Sequence, residues 1–230
     1  MIRLAMLSYW HVHAAGYASA AQRHPDTQIT AVWDEDPERG RTYADELGVP
    51  FHAELDAVLA RDDVDGVIVD APTNIHTEVL TAAARAGKHI FTEKVLALTS
   101  RECQEIMDEV ERAGVTLVVS LPRLYDGYTL ALREIVASGD LGDITLVRTR
   151  LSHSGALGDA WLPAHFFDAE QCGGGAMVDL GCHPMYLARL FLGDMPSSVS
   201  ASYGHVTGRA VEDNAVAVLR YDNGALGIVE

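Results

Sequence analysis

Three stretches of the sequence carry side chains whose types and spacing can do chemistry. In "FTEKV" (91–95), Glu93 and Lys94 adjoin at the end of an apolar run. An ammonium partly withdrawn from water there can polarise an oxygen or exchange a proton, although the same pair also reads as a loop ion pair. In "GGGAMVDLGCHPMYLARLFLG" (173–193), a helix is expected from about Val178. On it Asp179 and His183, four residues apart, share a face, with Tyr186 three positions further on the same side. A carboxylate one turn from an imidazole can orient it and raise its basicity; the plainer alternative is an acid at a helix N-terminus and a core histidine. In "SYWHVH" (8–13), His11 and His13 form a His-x-His pair that can chelate a metal from one strand face. The same stretch also joins a strand to an alanine-rich helix, where a phosphate-binding turn would normally be built of glycine.

These groups need elements to hold them. Short apolar runs rich in β-branched residues (2–8, 28–34, 64–72, 88–94, 115–121) alternate with helix-like segments near 13–24, 37–47, 54–61, 75–86 and 99–113. Strands apolar on both faces and separated by helices predict a doubly wound parallel sheet, an α/β domain. Such sheets bind ligands beyond the carboxyl ends of their strands. That singles out Ser8, Asp34, Asp70 to Asn74, Glu93 to Val95 and Leu121 to Arg123. Asp34 stands where a nucleotide-binding sheet keeps the acid for a ribose diol, or else it begins the turn into the helix that Pro37 opens. In "APTNIHTEV" (71–79), Pro72 ends a strand, Thr73 or Asn74 can cap the next helix and His76 falls in its first turn; functionally, these groups would line the approach of a nicotinamide ring.

Beyond residue 121 the pattern changes. A helix-like stretch (124–138), the alternating "ITLVRTRLSHSG", the glycine block and two or three further strands, with "YDNG" as a hairpin turn, predict an α+β domain with a largely antiparallel sheet. The last residue falls inside an expected strand, so the chain is expected to be cut short.

The 230 residues include 33 acidic against 17 Lys plus Arg, a formal net charge of −16. A field of that sign repels phosphate backbones and anionic lipid, which argues against nucleic-acid and membrane partners. Cys103, Cys172 and Cys182 form no C-x-x-C pair and read as reduced thiols. With no leader pattern and no long apolar stretch, a soluble cytoplasmic protein is expected.

The succession of a first strand, Asp34, "APTNIH", "TEK" and "GGGAMVDLGCH" resembles the Gfo/Idh/MocA family of nicotinamide-dependent oxidoreductases, over essentially the whole chain. The resemblance implies a Rossmann-type dinucleotide-binding domain over 1–121 and an incomplete substrate and oligomerisation domain over 122–230. It implies NAD, or alternatively NADP, as cofactor. It also implies hydride transfer at a hydroxyl-bearing carbon of a sugar, inositol or related polyol, and a homo-oligomer, dimer or tetramer. Lys94, Asp179 and His183 match the family's catalytic positions. By the same resemblance the cofactor falls to Ser8, Trp10, His11, Val12, Asp34, Pro72, Thr73, Asn74, His76, Glu93, Lys94 and Arg123, and the substrate to Lys94, Arg123, Trp161, Asp179, His183 and Tyr186. Asp34 favours NAD, while Arg39 and Arg41 lie close enough in sequence to blur that preference.

The sequence departs from the family pattern in three ways. Ser8, Trp10 and His13 stand where the glycine fingerprint belongs. Val95 replaces a proline, which predicts a trans Lys94–Val95 peptide because a non-proline cis bond costs about 2.5–4 kcal/mol. Tyr186 stands where many relatives carry a second acid. Folding is expected to bring Lys94 and His183 to a shared cavity. Two other readings stay open. One is a non-catalytic relative with weakened cofactor binding, motivated by the lost glycines. The other is a metal-dependent hydrolase using His11 and His13, whose pair resembles that of amidohydrolase barrels, although the chain does not supply a barrel's ring of strand–helix units. The main reading assigns no metal ligand.

Overall fold

In β1 (Ile2–Leu7), alternate side chains enter different cores. Ala5 and Leu7 join Val58, Val79, Leu80 and Ile106, whereas Met6 joins Ala14, Ala18 and Val32. A strand buried on both faces has to lie inside a sheet covered by helices on each side. The computed structural model describes residues 1–157 and 161–230 and divides the chain into two units, Met1–Ser120 and Leu121–Glu230.

In the first unit β1 is followed by α1 (Ala14–Arg23), β2 (Thr27–Trp33), α2 (Pro37–Leu47), β3 (Phe51–His52), α3 (Leu55–Leu59) and β4 (Gly66–Val69). Then come α4 (His76–Arg85), β5 (His89–Thr92), α5 (Ser100–Ala113) and β6 (Leu117–Val119). The six strands pair in parallel in the order β3-β2-β1-β4-β5-β6, the order of dinucleotide-binding sheets. Local signals set the helices. Asp36 accepts from the amides of Glu38 and Arg39 at the start of α2, a cap worth about 1 kcal/mol, and Pro37 takes the first helical position. At the start of α5 the Thr99 hydroxyl accepts from the Glu102 amide, capping the helix, and donates to Glu102 Oε2. The sequence pattern does not reveal β3, because two residues carry no period.

The second unit contains α6 (Gly127–Ala137), β7 (Leu146–Thr149), α7 (Ala169–Cys172), α8 (Ala176–Asp179), α9 (Cys182–Leu192), β8 (Ser198–Gly204), β9 (Asn214–Arg220) and β10 (Leu226–Val229). Its four strands run in the order β7-β10-β9-β8; β10 is parallel to β7, and the other pairings are antiparallel. The "YDNG" turn closes the β9–β10 hairpin, with the Tyr221 amide on the Ala225 carbonyl at 3.1 Å and Gly224 at φ 88. One face of the sheet is covered: Ala217, Leu219 and Val229 pack with Ala188 of α9.

The single helix expected from Val178 is in fact two. After α8 the amides of Leu180 and Gly181 both bond the Ala176 carbonyl at 2.9 Å, and the chain folds back so closely that a Cβ on Gly181 would lie 2.5 Å from the Met177 carbonyl oxygen. Among the described residues no helix is long and apolar enough to cross a membrane.

Candidate active site

Parallel register sets Leu7 beside Val69 and Val69 beside Thr92, so Ser8, Asp70 and Glu93 follow at adjacent strand ends. Ser8 adopts φ 76, the left-handed conformation that glycine would take without strain. Its amide bonds the Trp33 carbonyl at 2.7 Å and its Oγ accepts from the Trp10 amide at 3.0 Å. The His11 amide bonds the Asp70 carbonyl at 3.0 Å, tying the turn to β4. Trp10 and His11 are buried, whereas Val12 is exposed. The N-terminus of α1 has no side-chain cap and no acid in its first turn, so its positive pole suits an anion.

Asp34 is wholly committed within the protein. Oδ2 accepts from the Tyr9 amide (2.8 Å) and Arg39 Nε (3.0 Å), and Oδ1 from the Asp36 amide (2.8 Å) and Arg39 Nη2 (2.6 Å). A direct bond to a ribose diol therefore requires Arg39 to release it. Arg41 takes no part, because it lies over the Phe51 ring. Gly40 makes the close packing possible: a Cβ there would lie 2.6 Å from Asp34 Cβ and 2.4 Å from the Phe51 ring.

Beyond β4, Pro72 and Thr73 are buried and Asn74 is exposed. His76 is buried with Nε2 3.0 Å from the Ala71 carbonyl and Nδ1 3.1 Å from that of Leu96, so its ring braces the loops after β4 and β5. Burial lowers its pKa against the carbonyl bonds that would raise it. Beyond β5, Glu93 Oε1 meets His13 Nδ1 at 2.8 Å and accepts from the Tyr17 hydroxyl, which also meets Ser120 Oγ at 2.8 Å. Oε2 accepts from the Lys94 amide at 2.9 Å. Burial alone would push the Glu93 carboxyl up, but the His13 hydrogen bond, the His11 charge and the Tyr17 hydroxyl outweigh it and hold the pKa at about 2. Lys94 is buried beside this fixed carboxylate. The Lys94–Val95 peptide is cis, not trans as the missing proline predicts; the chain is held on either side by the Glu93–Lys94 and His76–Leu96 contacts, and the tertiary setting overrides the local preference.

In the second unit the glycine run serves close packing. Gly173 ends α7 at φ 76. A Cβ on Gly175 would lie 2.1 Å from the Glu212 carbonyl oxygen. Glu212 holds the start of α8: its carbonyl accepts from the Ala176 amide, Oε2 from Gly175 and Oε1 from Met177, each at 2.9 Å. Sequence reasoning missed Glu212, whose only signal is an acid just ahead of a strand. Asp179 ends α8 and His183 sits in the first turn of α9. His183 Nδ1 lies 2.7 Å from Tyr186 Oη, which also accepts from the Arg123 amide at 3.1 Å. Burial pushes the Tyr186 hydroxyl up to about 12, so it keeps its proton at neutral pH. Tyr186 is thus the partner of the imidazole, a role its expected place at the substrate did not include. The Arg123 guanidinium pairs with Asp126. Trp161 is exposed, its ring against His153.

The first unit thus has the strand order and strand-end chemistry of a dinucleotide-binding fold, and the second is a mixed sheet bearing a histidine anchored by tyrosine. Residues 12–121 match the family model described as "Oxidoreductase family, NAD-binding Rossmann fold", and residues 129–230 match "GFO/IDH/MocA C-terminal domain". The chain belongs to the Gfo/Idh/MocA family. It is 33% identical over 207 residues to D-xylose 1-dehydrogenase (NADP(+)) 2 of Haloferax volcanii, a match spanning 88% of this chain and 61% of that protein. To myo-inositol 2-dehydrogenase of Thermotoga maritima it is 29% identical over 211 residues, 89% of this chain and 61% of the relative. The crystal structure of GenD2 from gentamicin A biosynthesis in complex with NAD superposes with a TM-score of 0.89 at 25% identity, covering 99% of this chain and 64% of that one. The chain therefore spans about three fifths of the length of the curated relatives it matches. The open six-stranded sheet is not the barrel that the hydrolase reading requires.

Proposed function

We propose that this protein transfers a hydride between a nicotinamide dinucleotide and a hydroxyl-bearing carbon of a sugar or polyol. The observation that carries the reading is the sheet order β3-β2-β1-β4-β5-β6 with an uncapped α1 N-terminus directly beyond β1. That pole suits a pyrophosphate even though the turn before it lacks glycine. When bound, the dinucleotide supplies the hydride acceptor or donor. The rest of the chemistry falls to the chain's own residues. Lys94 stabilises negative charge on the substrate oxygen. His183 Nε2 exchanges the hydroxyl proton. Tyr186 Oη can donate to Nδ1 or accept from it, so the imidazole can present Nε2 as donor for reduction or as acceptor for oxidation. Asp179 holds a substrate hydroxyl.

D-xylose and myo-inositol, named for two relatives, are polyhydroxy compounds, which supports a sugar or polyol as the substrate class. With Asp34 held by Arg39, a guanidinium at the end of β2 is at hand for a 2′-phosphate, which keeps NADP beside NAD as cofactor. The same reading includes a cytoplasmic homo-oligomer, in keeping with three free cysteines and with the exposed Val199 and Tyr203 on β8. The test is a turnover assay of the purified chain with NAD+ and NADP+ against a panel of aldoses and inositols, followed by nicotinamide absorbance. Substrate-dependent reduction by at least one pair is expected; none across the panel, in either direction, would count against the proposal.

A further inference from the structure

The turn that replaces the glycine fingerprint carries His11 and His13 to Glu93. One donor atom from each of the three lies within 4.8 Å of the others, and His13 Nδ1 is 2.8 Å from Glu93 Oε1. That separation is a hydrogen-bond distance, roughly 0.6 Å shorter than the ~3.4 Å between two ligands held at ~2.1 Å by a tetrahedral ion, so a small outward movement of the half-exposed His13 ring would admit the ion. We propose that His11, His13 and Glu93 form a binding site for a divalent first-row transition-metal ion, zinc being the type case. Two imidazoles and one carboxylate are the donor set such ions favour, and three protein ligands leave coordination positions open.

The surroundings fit that use. His11 Nδ1 accepts from the His13 amide at 3.2 Å, which fixes its ring, and the Tyr17 hydroxyl, backed by Ser120, holds Glu93. Outer contacts of this kind orient ligands in metal sites. The His13 side chain is 51% exposed while that of Glu93 is 1% exposed, so an ion can reach the carboxylate from the solvent side.

Charge is the second, independent observation. The N-terminus of α1 opposes a cation with roughly half a positive charge. Against it stand two buried carboxyl groups, Glu93 and Asp70. Asp70 is wholly buried, and neither of its carboxylate oxygens has a hydrogen-bond partner among the described residues. A carboxyl in that condition is costly unless positive charge lies nearby. The register places Asp70 between the ends of β1 and β5, with its carbonyl bonded to the His11 amide. A dication on the three ligands supplies the charge that Asp70 lacks.

The inference does not rest on the dinucleotide reading, and its test uses the metal alone. Tag-free protein, stripped with a chelator, is titrated with Zn2+ by calorimetry and with Co2+ by visible absorption. Saturation at one ion per chain is expected, with the Co2+ bands of nitrogen and oxygen ligation. Affinity should fall about tenfold or more in His13→Ala and in Glu93→Gln and stay unchanged in His24→Ala, at the far end of α1. Circular dichroism checks that the variants fold. No saturable binding, a Co2+ spectrum without ligand-field bands in the unaltered protein, or equal affinity in a folded His13→Ala variant would each overturn the proposal and leave the trio as a hydrogen-bonded cluster.

Discussion

Replacing Lys94 by methionine is expected to lower kcat by roughly 10²–10⁴-fold while NADH still binds with affinity within a fewfold of the unaltered protein. Methionine keeps the length and most of the apolar stem of a buried side chain but removes the ammonium. The charge on the substrate oxygen is then left uncompensated as it develops. His183→Ala should fall by a comparable factor for a different reason, the loss of the proton acceptor. Tyr186→Phe should lose less, because it keeps the imidazole and removes only the hydroxyl 2.7 Å from Nδ1. Steady-state kinetics on any substrate found active, with cofactor affinity measured separately, distinguishes transition-state loss from lost binding. Turnover at the unaltered rate in either Lys94→Met or His183→Ala would remove that residue from the mechanism.

Gly175→Ala is expected to cost about 2–4 kcal/mol, because its Cβ would lie 2.1 Å from the Glu212 carbonyl oxygen and 2.9 Å from the Glu212 nitrogen. Those are backbone atoms just ahead of β9, so relief requires moving either the strand or α8. For a chain of this size the loss corresponds to a Tm lower by roughly 5–15 °C. Gly16→Ala makes the same covalent change in α1, where an added Cβ meets nothing within 4 Å. It should stabilise by about 0.5–1 kcal/mol through helix propensity. Thermal or urea unfolding of the two variants side by side reads the difference; a Gly175→Ala protein as stable as the unaltered chain would mean that α8 does not rest on Glu212.

The contrast between these glycines shows what the sequence could and could not disclose. The doubly wound pattern was legible because β4 and the second half of β1 are buried on both faces, and runs such as "GVIV" leave no polar face to misread. The hairpin at "YDNG" was legible from its turn residues alone. Features set by contacts that only the folded chain makes were not. At the break between α8 and α9 Gly181 packs close against Met177, Asp34 is held by Arg39, and the cis peptide after Lys94 lies between contacts made by Glu93 and His76. Asp70 could be marked as a strand-end acid, but that its carboxylate is buried without a partner is a tertiary fact. Positions 94, 179 and 183 were legible as candidates from residue type and spacing, whereas the Tyr186–His183 bond and the grip of Glu212 on α8 emerge only once the chain is folded.

Hydride transfer by this chain requires that a strand-to-helix turn built of serine, tryptophan and histidine receive a nicotinamide dinucleotide. Titration of the purified chain with NADH and NADPH, followed by nucleotide fluorescence and by thermal unfolding, measures this directly. Saturable binding of at least one of them is predicted, with the unfolding temperature rising as ligand is added and a stabilisation of about 2.7 kcal/mol when free ligand reaches a hundred times its Kd. Unchanged fluorescence and an unmoved unfolding temperature at millimolar concentrations of both nucleotides would contradict it.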